Sequence, residues 1–176
     1  MIHKCKAALV LLAASVLAPG ARAQSDNQML GFQVVADQWN TDSAGHAWGK
    51  NVGLGLRDRF GGSQHLRGYV AVEGTFLHTN GAPLYFTLEA AAMYTPLRFE
   101  DTPLLPYIGA GAGSVLNLGP SSDGNLGTTT GRAVGGYYLT FGLIKSGTQS
   151  DPFVEVQYFP QANMRRLALV IGIYGK

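Results

Sequence analysis

The chain has 176 residues, of which 46% are hydrophobic and only 14% charged, with a formal net charge of +2 and a single cysteine. This length suits one domain, and the nearly balanced charge excludes the strongly basic surface typical of nucleic-acid-binding proteins. The 24 glycines and the low charged fraction could suggest disorder, but the strongly periodic apolar content argues against a disordered chain.

The first 23 residues have the pattern of a cleaved signal peptide. Lys4 and Lys6 make a basic start, residues 7–18 are apolar, and Ala21-Arg22-Ala23 forms an A-x-A cleavage signal. The apolar run of 12 residues is too short to cross a bilayer as a helix, which takes about 20 residues. We therefore expect residues 1–23 to be removed and residues 24–176 to form one mature domain.

Removal of this leader changes the chemistry of the chain. The leader carries Cys5, three of the 13 basic residues and none of the 11 acidic residues, so the mature domain has a net charge of −1. A domain without cysteine has no disulfide framework and no thiolate metal site. We expect no nucleic-acid partner, no metal and no cofactor.

Behind the leader, apolar residues alternate with polar or small residues in eight stretches. Such alternation is typical of β-strands, whose side chains point to opposite faces in turn. The eight predicted strands are residues 30–39, 50–60, 66–77, 84–93, 105–116, 130–144, 153–159 and 165–174. Their number and spacing predict an all-β fold, an eight-stranded antiparallel up-and-down barrel in the membrane.

We expect the charged residues within these strands to share one face and the apolar face of all eight to be free of charge. The charged residues on the shared face are Asp37, Arg57, Glu73, Glu89, Arg132 and Glu155. A soluble barrel would point this face to water, whereas a membrane barrel points it into the lumen. The face is rich in Gly, Ala, Thr and Tyr rather than Lys, which favours the lumen.

The alternative is a soluble periplasmic barrel of the lipocalin kind that binds an apolar ligand. In that case Leu84, Phe86 and Leu88 would line an internal cavity. The alternation by itself does not distinguish the two barrels.

Two sets of candidate site residues follow from the membrane interpretation. Charges in a filled lumen must pair, so an ion network across the lumen is predicted for Arg57, Glu73, Glu89, Arg132 and Glu155. Aromatic residues near strand ends are typical of the girdles at the two membrane interfaces. The predicted girdle contains Trp39, Trp48, Phe60, Tyr94, Tyr107, Tyr158 and Tyr174.

Three segments resemble a known family. The stretch Pro106-Tyr107-Ile108-Gly109-Ala110-Gly111-Ala112-Gly113 is similar to the strand-opening P-Y-x-G-x-G-x-G of the OmpA-like and opacity-like outer-membrane β-barrels. Residues 135–138 and 153–158 are similar to the sixth and seventh strands of those proteins. The chain departs from them at its end, which reads Tyr174-Gly175-Lys176 where they usually have an aromatic residue.

The resemblance implies an outer-membrane protein of a Gram-negative-type bacterium. Its expected partners are membrane lipid, lipopolysaccharide and the outer-membrane assembly machinery, with an unidentified surface ligand as a further candidate. Residues 40–49, 78–82, 117–129 and 161–164 would be the external loops. The expected role is structural, surface-interacting or weakly porin-like.

A membrane-embedded lipid A acyl hydrolase is a second alternative. The deacylases of this kind carry a His-x-Ser-Asn motif late in the barrel, but residues 158–163 of this chain contain neither His nor Ser. An alternative set of residues for acyl transfer is His46 with Ser43 and Asp42, all of which lie in the predicted first loop. His46, His65 and His78 do not have the spacing of metal ligands. We therefore expect no catalytic residues.

Overall fold

Eight strands account for nearly all of the chain that the structure describes. The computed structural model describes residues 28–40, 48–61, 65–78, 85–96, 103–117, 133–146, 149–161 and 164–175. The strands are β1 (Met29–Asn40), β2 (Trp48–Phe60), β3 (Leu66–His78), β4 (Tyr85–Tyr94), β5 (Leu104–Asn117), β6 (Ala133–Lys145), β7 (Ser150–Gln161) and β8 (Met164–Gly175). Within these ranges no helix is long and apolar enough to cross a bilayer. The predicted signal peptide and Arg132 lie outside the described residues.

The strands form a closed barrel in which each pairs antiparallel with its neighbours in sequence, and β1 pairs with β8. Closure satisfies the backbone groups that an open sheet would leave unpaired at its edges. The all-β, eight-stranded antiparallel barrel predicted from the sequence is therefore confirmed. We call the end where β1 begins and β8 finishes the terminus end, and the opposite end the loop end.

The predicted seventh strand, residues 153–159, is shorter than the observed strand β7. The observed strand includes Pro152 and Pro160. Both prolines lie beyond the stretch of β7 that pairs with β6, which runs from Phe153 to Tyr158. Proline is tolerated there because it has no β6 partner to which a backbone N–H would have to donate.

The barrel is apolar outside and polar inside. Large hydrophobic side chains such as Phe32, Phe141 and Ile171 are 64%, 56% and 55% exposed, whereas Arg57, Arg166 and Gln157 are fully buried. A water-soluble protein has the reverse distribution, because burial of apolar surface drives its folding. The lipocalin-like alternative required Phe86 to face a cavity, but Phe86 lies on the outer face, 40% exposed.

The expectation that the outward face of every strand is free of charge is wrong near the strand ends. Lys50, Lys145 and Arg165 are exposed, and Asp58 is half-buried, on outward-facing positions. Each lies within three residues of the end of its strand. Charge is tolerated at such positions because its cost in a membrane barrel falls steeply away from the midplane.

Glycines on the inner face make room for aromatic rings on the adjacent strand. Gly142 stands directly opposite Tyr107, and Gly172 opposite Phe153. A Cβ atom at either glycine would collide with the opposing ring. These glycines therefore leave space for the rings of Tyr107 and Phe153 to lie against the lumen wall, besides letting the strands curve.

Candidate functional site in the barrel lumen

Among the residues that the structure describes, the lumen holds three groups of ion pairs, one above another along the barrel axis. Nearest the loop end, Arg166 of β8 binds three carboxylates, and we call these four residues the Arg166 cluster. Its Nε lies 2.8 Å from Oδ2 of Asp37, its Nη2 2.6 Å from Oε2 of Glu73, and its Nη1 2.8 Å from Oε1 of Glu89. One guanidinium thus connects β8 with β1, β3 and β4.

The carboxylates of the Arg166 cluster also accept hydrogen bonds from neutral side chains. Gln33 donates to Glu73 at 2.6 Å and Thr87 donates to Glu73 at 3.2 Å. Tyr85 donates to Asp37. Such donors are needed because a single guanidinium carries one positive charge against three carboxylates, and buried charge is costly unless it is bonded.

The second group is the Arg57 pair, in the middle of the lumen. Nη1 and Nη2 of Arg57 donate to Oε2 and Oε1 of Glu155 at 3.0 and 2.9 Å, and both side chains are fully buried. The guanidinium lies 3.9 Å from the centroid of the Tyr69 ring, and Tyr107 donates to Glu155 at 2.6 Å. The bidentate geometry is the strongest that Arg and a carboxylate can form.

Gln157 joins the Arg57 pair to the Arg166 cluster. Its Nε2 lies 2.8 Å from Oε1 of Glu155 and 3.1 Å from Oε2 of Glu89. Next to it, Tyr138 donates to the hydroxyl of Tyr69 at 2.8 Å and stacks on Phe159. The two groups of charges therefore belong to one continuous hydrogen-bonded network.

The third group is the Arg59 pair, at the terminus end. Nη2 of Arg59 donates to Oδ2 of Asp151 at 2.8 Å and also contacts the sulfur of Met29. The guanidinium packs over the ring of Tyr174, 4.6 Å from its centroid. This pair closes the lumen beneath the Arg57 pair.

The structure distributes the predicted network residues over two of these groups. Arg57 and Glu155 lie together, while Glu73 and Glu89 both reach Arg166, which the sequence analysis did not name as a site residue. Arg132 lies outside the described residues. Sequence reasoning also left Arg59, Asp37 and Asp151 out of the network. Their inward position on a predicted strand, or just beyond its end, was the available signal.

Two of the predicted girdle residues lie inside the barrel instead. Tyr107 and Tyr174 are 5% and 1% exposed, because their positions in β5 and β8 point inward. Phe60, Tyr94 and Tyr158 are exposed on the outer face. The side chains of Trp39 and Trp48 lie outside the described residues.

In the described ranges no group of three or more His, Cys, Asp and Glu residues is arranged to hold a metal ion. His65, at the terminus end, hydrogen-bonds the backbone carbonyl of Thr95 at 3.0 Å. Asp42, Ser43 and His46, the residues of the hydrolase alternative, lie outside the described residues.

Solved structures with the same architecture are outer-membrane barrels. Neisserial surface protein A superposes with a TM-score of 0.62 at 16% identity, covering 85% of this chain and 96% of that one. Ail, the attachment invasion locus protein of Yersinia pestis, superposes with a TM-score of 0.52 at 13% identity, covering 85% and 97%. The chain has the fold of small eight-stranded outer-membrane barrels. No protein-family model and no curated protein matches its sequence.

Proposed function

We propose that this protein is an integral outer-membrane barrel without enzymatic activity, which acts through the segments at its loop end. The observation that carries the proposal is the reversed polarity of the barrel, with Phe32 and Phe141 on its surface and Arg57 and Arg166 buried inside. A closed barrel with an apolar outer face and a charged interior is favourable only when lipid surrounds it. The outer face would contact membrane lipid, including lipopolysaccharide, after insertion by the outer-membrane assembly machinery.

The lumen supports a role other than solute transport. Arg166 reaches three other strands, and the Arg57 pair and Arg59 pair lie beneath it. Barrels of eight strands are just wide enough for side chains to fill. Of the three expected roles, the weakly porin-like one is therefore the least favoured, and surface interaction at the loop end is the one we propose.

The composition of the loop-end segments limits the ligand. The described Ail structure includes a heparin analogue, sucrose octasulfate. In this chain, residues 41–47, 79–84, 118–132 and 162–163 contain two acids, Asp42 and Asp123, and one arginine, Arg132. Polyanion binding requires clustered Lys and Arg. We therefore propose an uncharged surface ligand, bound through the Gly, Ser, Thr and Asn residues of these segments.

Fractionation tests the proposed location and architecture together. The full chain, produced in a Gram-negative host, should be recovered in the outer membrane and should migrate faster in gel electrophoresis without boiling than after boiling. Recovery as a soluble periplasmic monomer without detergent would overturn the proposal.

Two further measurements test the proposed role. Reconstituted into planar bilayers, the protein should show no conductance above that of protein-free bilayers, and stable open channels would restore the porin-like role. The hydrolase alternative predicts release of fatty acid from lipopolysaccharide that is lost in Ser43→Ala and His46→Ala. We expect no release by any of the three proteins.

A further inference from the structure

The Arg166 cluster contains more acidic than basic groups. Asp37, Glu73 and Glu89 each bind the guanidinium of Arg166, and all three acidic residues are at most 4% exposed. If all three were ionised, one positive charge would face three negative charges with almost no contact with solvent. A buried carboxyl group in such surroundings avoids this cost by binding a proton, because its neutral form needs no counter-charge.

The surroundings of Glu73 and Glu89 do not remove this excess of negative charge. The charged groups that face the two glutamates from other strands are Asp37, Arg166 and the Arg57 pair. The Arg57 pair balances its own charge, because Arg57 and Glu155 bind each other through two hydrogen bonds. The tyrosines that face the glutamates are Tyr69, Tyr85 and Tyr138. Tyrosine hydroxyls are neutral at neutral pH, and β5 places Gly113 opposite Glu89.

Each of the two glutamates divides its oxygens between Arg166 and a glutamine amide. Oε2 of Glu73 binds Nη2 of Arg166, and Oε1 of Glu73 lies 2.6 Å from Nε2 of Gln33. Oε1 of Glu89 binds Nη1 of Arg166, and Oε2 of Glu89 lies 3.1 Å from Nε2 of Gln157. The two glutamates thus have equivalent places on one guanidinium, so they titrate as a coupled pair and a proton on either reduces the repulsion between them.

Gln33 is suited to bind the protonated form of Glu73. Gln33 is 1% exposed, and its Oε1 has no hydrogen-bond partner in the part of the chain that the structure describes. The 2.6 Å contact with Glu73 is shorter than an ordinary N–H···O bond, at roughly 2.7 to 3.2 Å, but suits an O–H···O bond, at roughly 2.5 to 3.0 Å. A half-turn of the amide exchanges its oxygen and nitrogen, so that Gln33 accepts a hydrogen bond from the carboxylic acid.

Gln157 has less freedom to turn in this way. Its Nε2 also donates to Glu155 at 2.8 Å, and Glu155 is the ionised partner of Arg57. A half-turn of the Gln157 amide would place two acceptors against each other there. Of the two glutamine amides, Gln33 is therefore the one that adapts to a bound proton.

We propose that the Arg166 cluster holds one proton at neutral pH, shared between Glu73 and Glu89, with Gln33 as its hydrogen-bond acceptor when Glu73 carries it. The proton reduces the excess of negative charge in the cluster from two to one. Its release in alkaline solution restores the repulsion among the carboxylates that join β8 to β1, β3 and β4. The lumen thereby makes the stability of the barrel sensitive to pH, independently of the ligand proposed for the loop end.

Infrared spectroscopy of the protein folded in detergent tests for the proton directly. A protonated carboxyl group has a C=O stretching band that an ionised carboxylate lacks. The wild type should show this band at neutral pH and lose it in alkaline solution. Glu73→Gln and Glu89→Gln should both lack the band, because each removes the repulsion that keeps the proton on the other glutamate. The matched control, Glu155→Gln, leaves the Arg166 cluster intact and should retain it. Absence of the band from the wild type, or its persistence in both cluster variants, would overturn the proposal.

Urea unfolding at a series of pH values gives an independent test. Unfolded glutamates ionise at about pH 4.3, so above this pH the folded cluster holds a proton that the unfolded chain has released. The wild type should therefore lose stability as the pH rises, until the folded cluster releases its proton. Over this range its unfolding constant should increase by up to about tenfold per pH unit relative to that of Glu73→Gln or Glu89→Gln. Glu155→Gln should keep the pH dependence of the wild type. The same pH dependence in the wild type and in both cluster variants would contradict the bound proton.

Discussion

Arg57 and Glu155 form a bidentate ion pair across the lumen, with N–O distances of 3.0 and 2.9 Å and both side chains fully buried. The pair joins β2 to β7, which are not adjacent in the barrel. Backbone hydrogen bonds hold neighbouring strands together in the barrel wall. Ion pairs such as Arg57–Glu155 connect strands that are not neighbours, across the lumen.

The Arg57 pair should show strong energetic coupling. Arg57→Met and Glu155→Met each leave a buried charge without its partner, which costs about 3 to 5 kcal/mol. The double variant should lose less than the sum of the two, by a coupling energy of roughly 0.5 to 3 kcal/mol. Urea unfolding in detergent measures the free energy of unfolding of the wild type, the two single variants and the double variant. Strict additivity would show that the pair contributes no interaction of its own.

Arg166 should matter far more than its neighbour Arg165. Arg166→Ala leaves three carboxylates without a cation and should destabilise the barrel by at least about 3 kcal/mol. Arg165 is exposed on the outer face, so Arg165→Ala should change the stability by no more than about 0.5 kcal/mol. The same unfolding assay applies to both. Similar losses in the two variants would argue against the Arg166 cluster as a stabilising element.

Because Tyr107 packs closely on Gly142, a larger residue in place of this glycine should lower the stability of the barrel. Gly142→Ala places a methyl group against the Tyr107 ring, and overpacking of this kind costs about 1 to 3 kcal/mol. Gly135 lies on the same strand, but the nearest atom to its added Cβ would be 3.8 Å away. Gly135→Ala should therefore be nearly neutral when the two variants are unfolded side by side. If the two substitutions had equal effects, the packing of Tyr107 would not be the cause.

The outer face should tolerate charge at its ends and resist it in the middle. Leu169 lies near the centre of β8 and is 43% exposed, and Leu104 is the first residue of β5 and 42% exposed. In lipid, Leu169→Arg should cost about 2 to 4 kcal/mol and Leu104→Arg about 0 to 1 kcal/mol. Folding into liposomes, followed by urea titration, measures the difference. In a water-soluble barrel both substitutions would be mild, because both side chains would already face water.

The strands could be predicted from the sequence because a period of two is a local property of the chain. The ends were harder: the predicted seventh strand stopped short of Pro152 and Pro160, which belong to β7 beyond the stretch that pairs with β6. The two inward tyrosines were assigned to the girdle from their position along the strand. Tyr107 shares its face with Gly109 and Gly111, so parity already pointed it inward.

The partners within the lumen could not be predicted from the sequence. Parity places Glu73, Glu89 and Arg166 on the inner face, but it does not tell how far each side chain reaches across the barrel. The long Arg166 side chain reaches Glu73 and Glu89 on strands that are not its neighbours. Such contacts depend on the barrel's diameter and on the stagger of its strands, which the alternation alone does not determine.

The position of Arg166 on the last strand has a consequence for the order of assembly. Until β8 closes the barrel, Asp37, Glu73 and Glu89 converge on the lumen without the arginine that binds all three. We expect their mutual repulsion to disfavour a barrel that contains β1, β3 and β4 but lacks β8, and Arg166 reduces this repulsion when β8 joins. We therefore expect the inner charges to couple the closing strand β8 to β1, β3 and β4 during assembly.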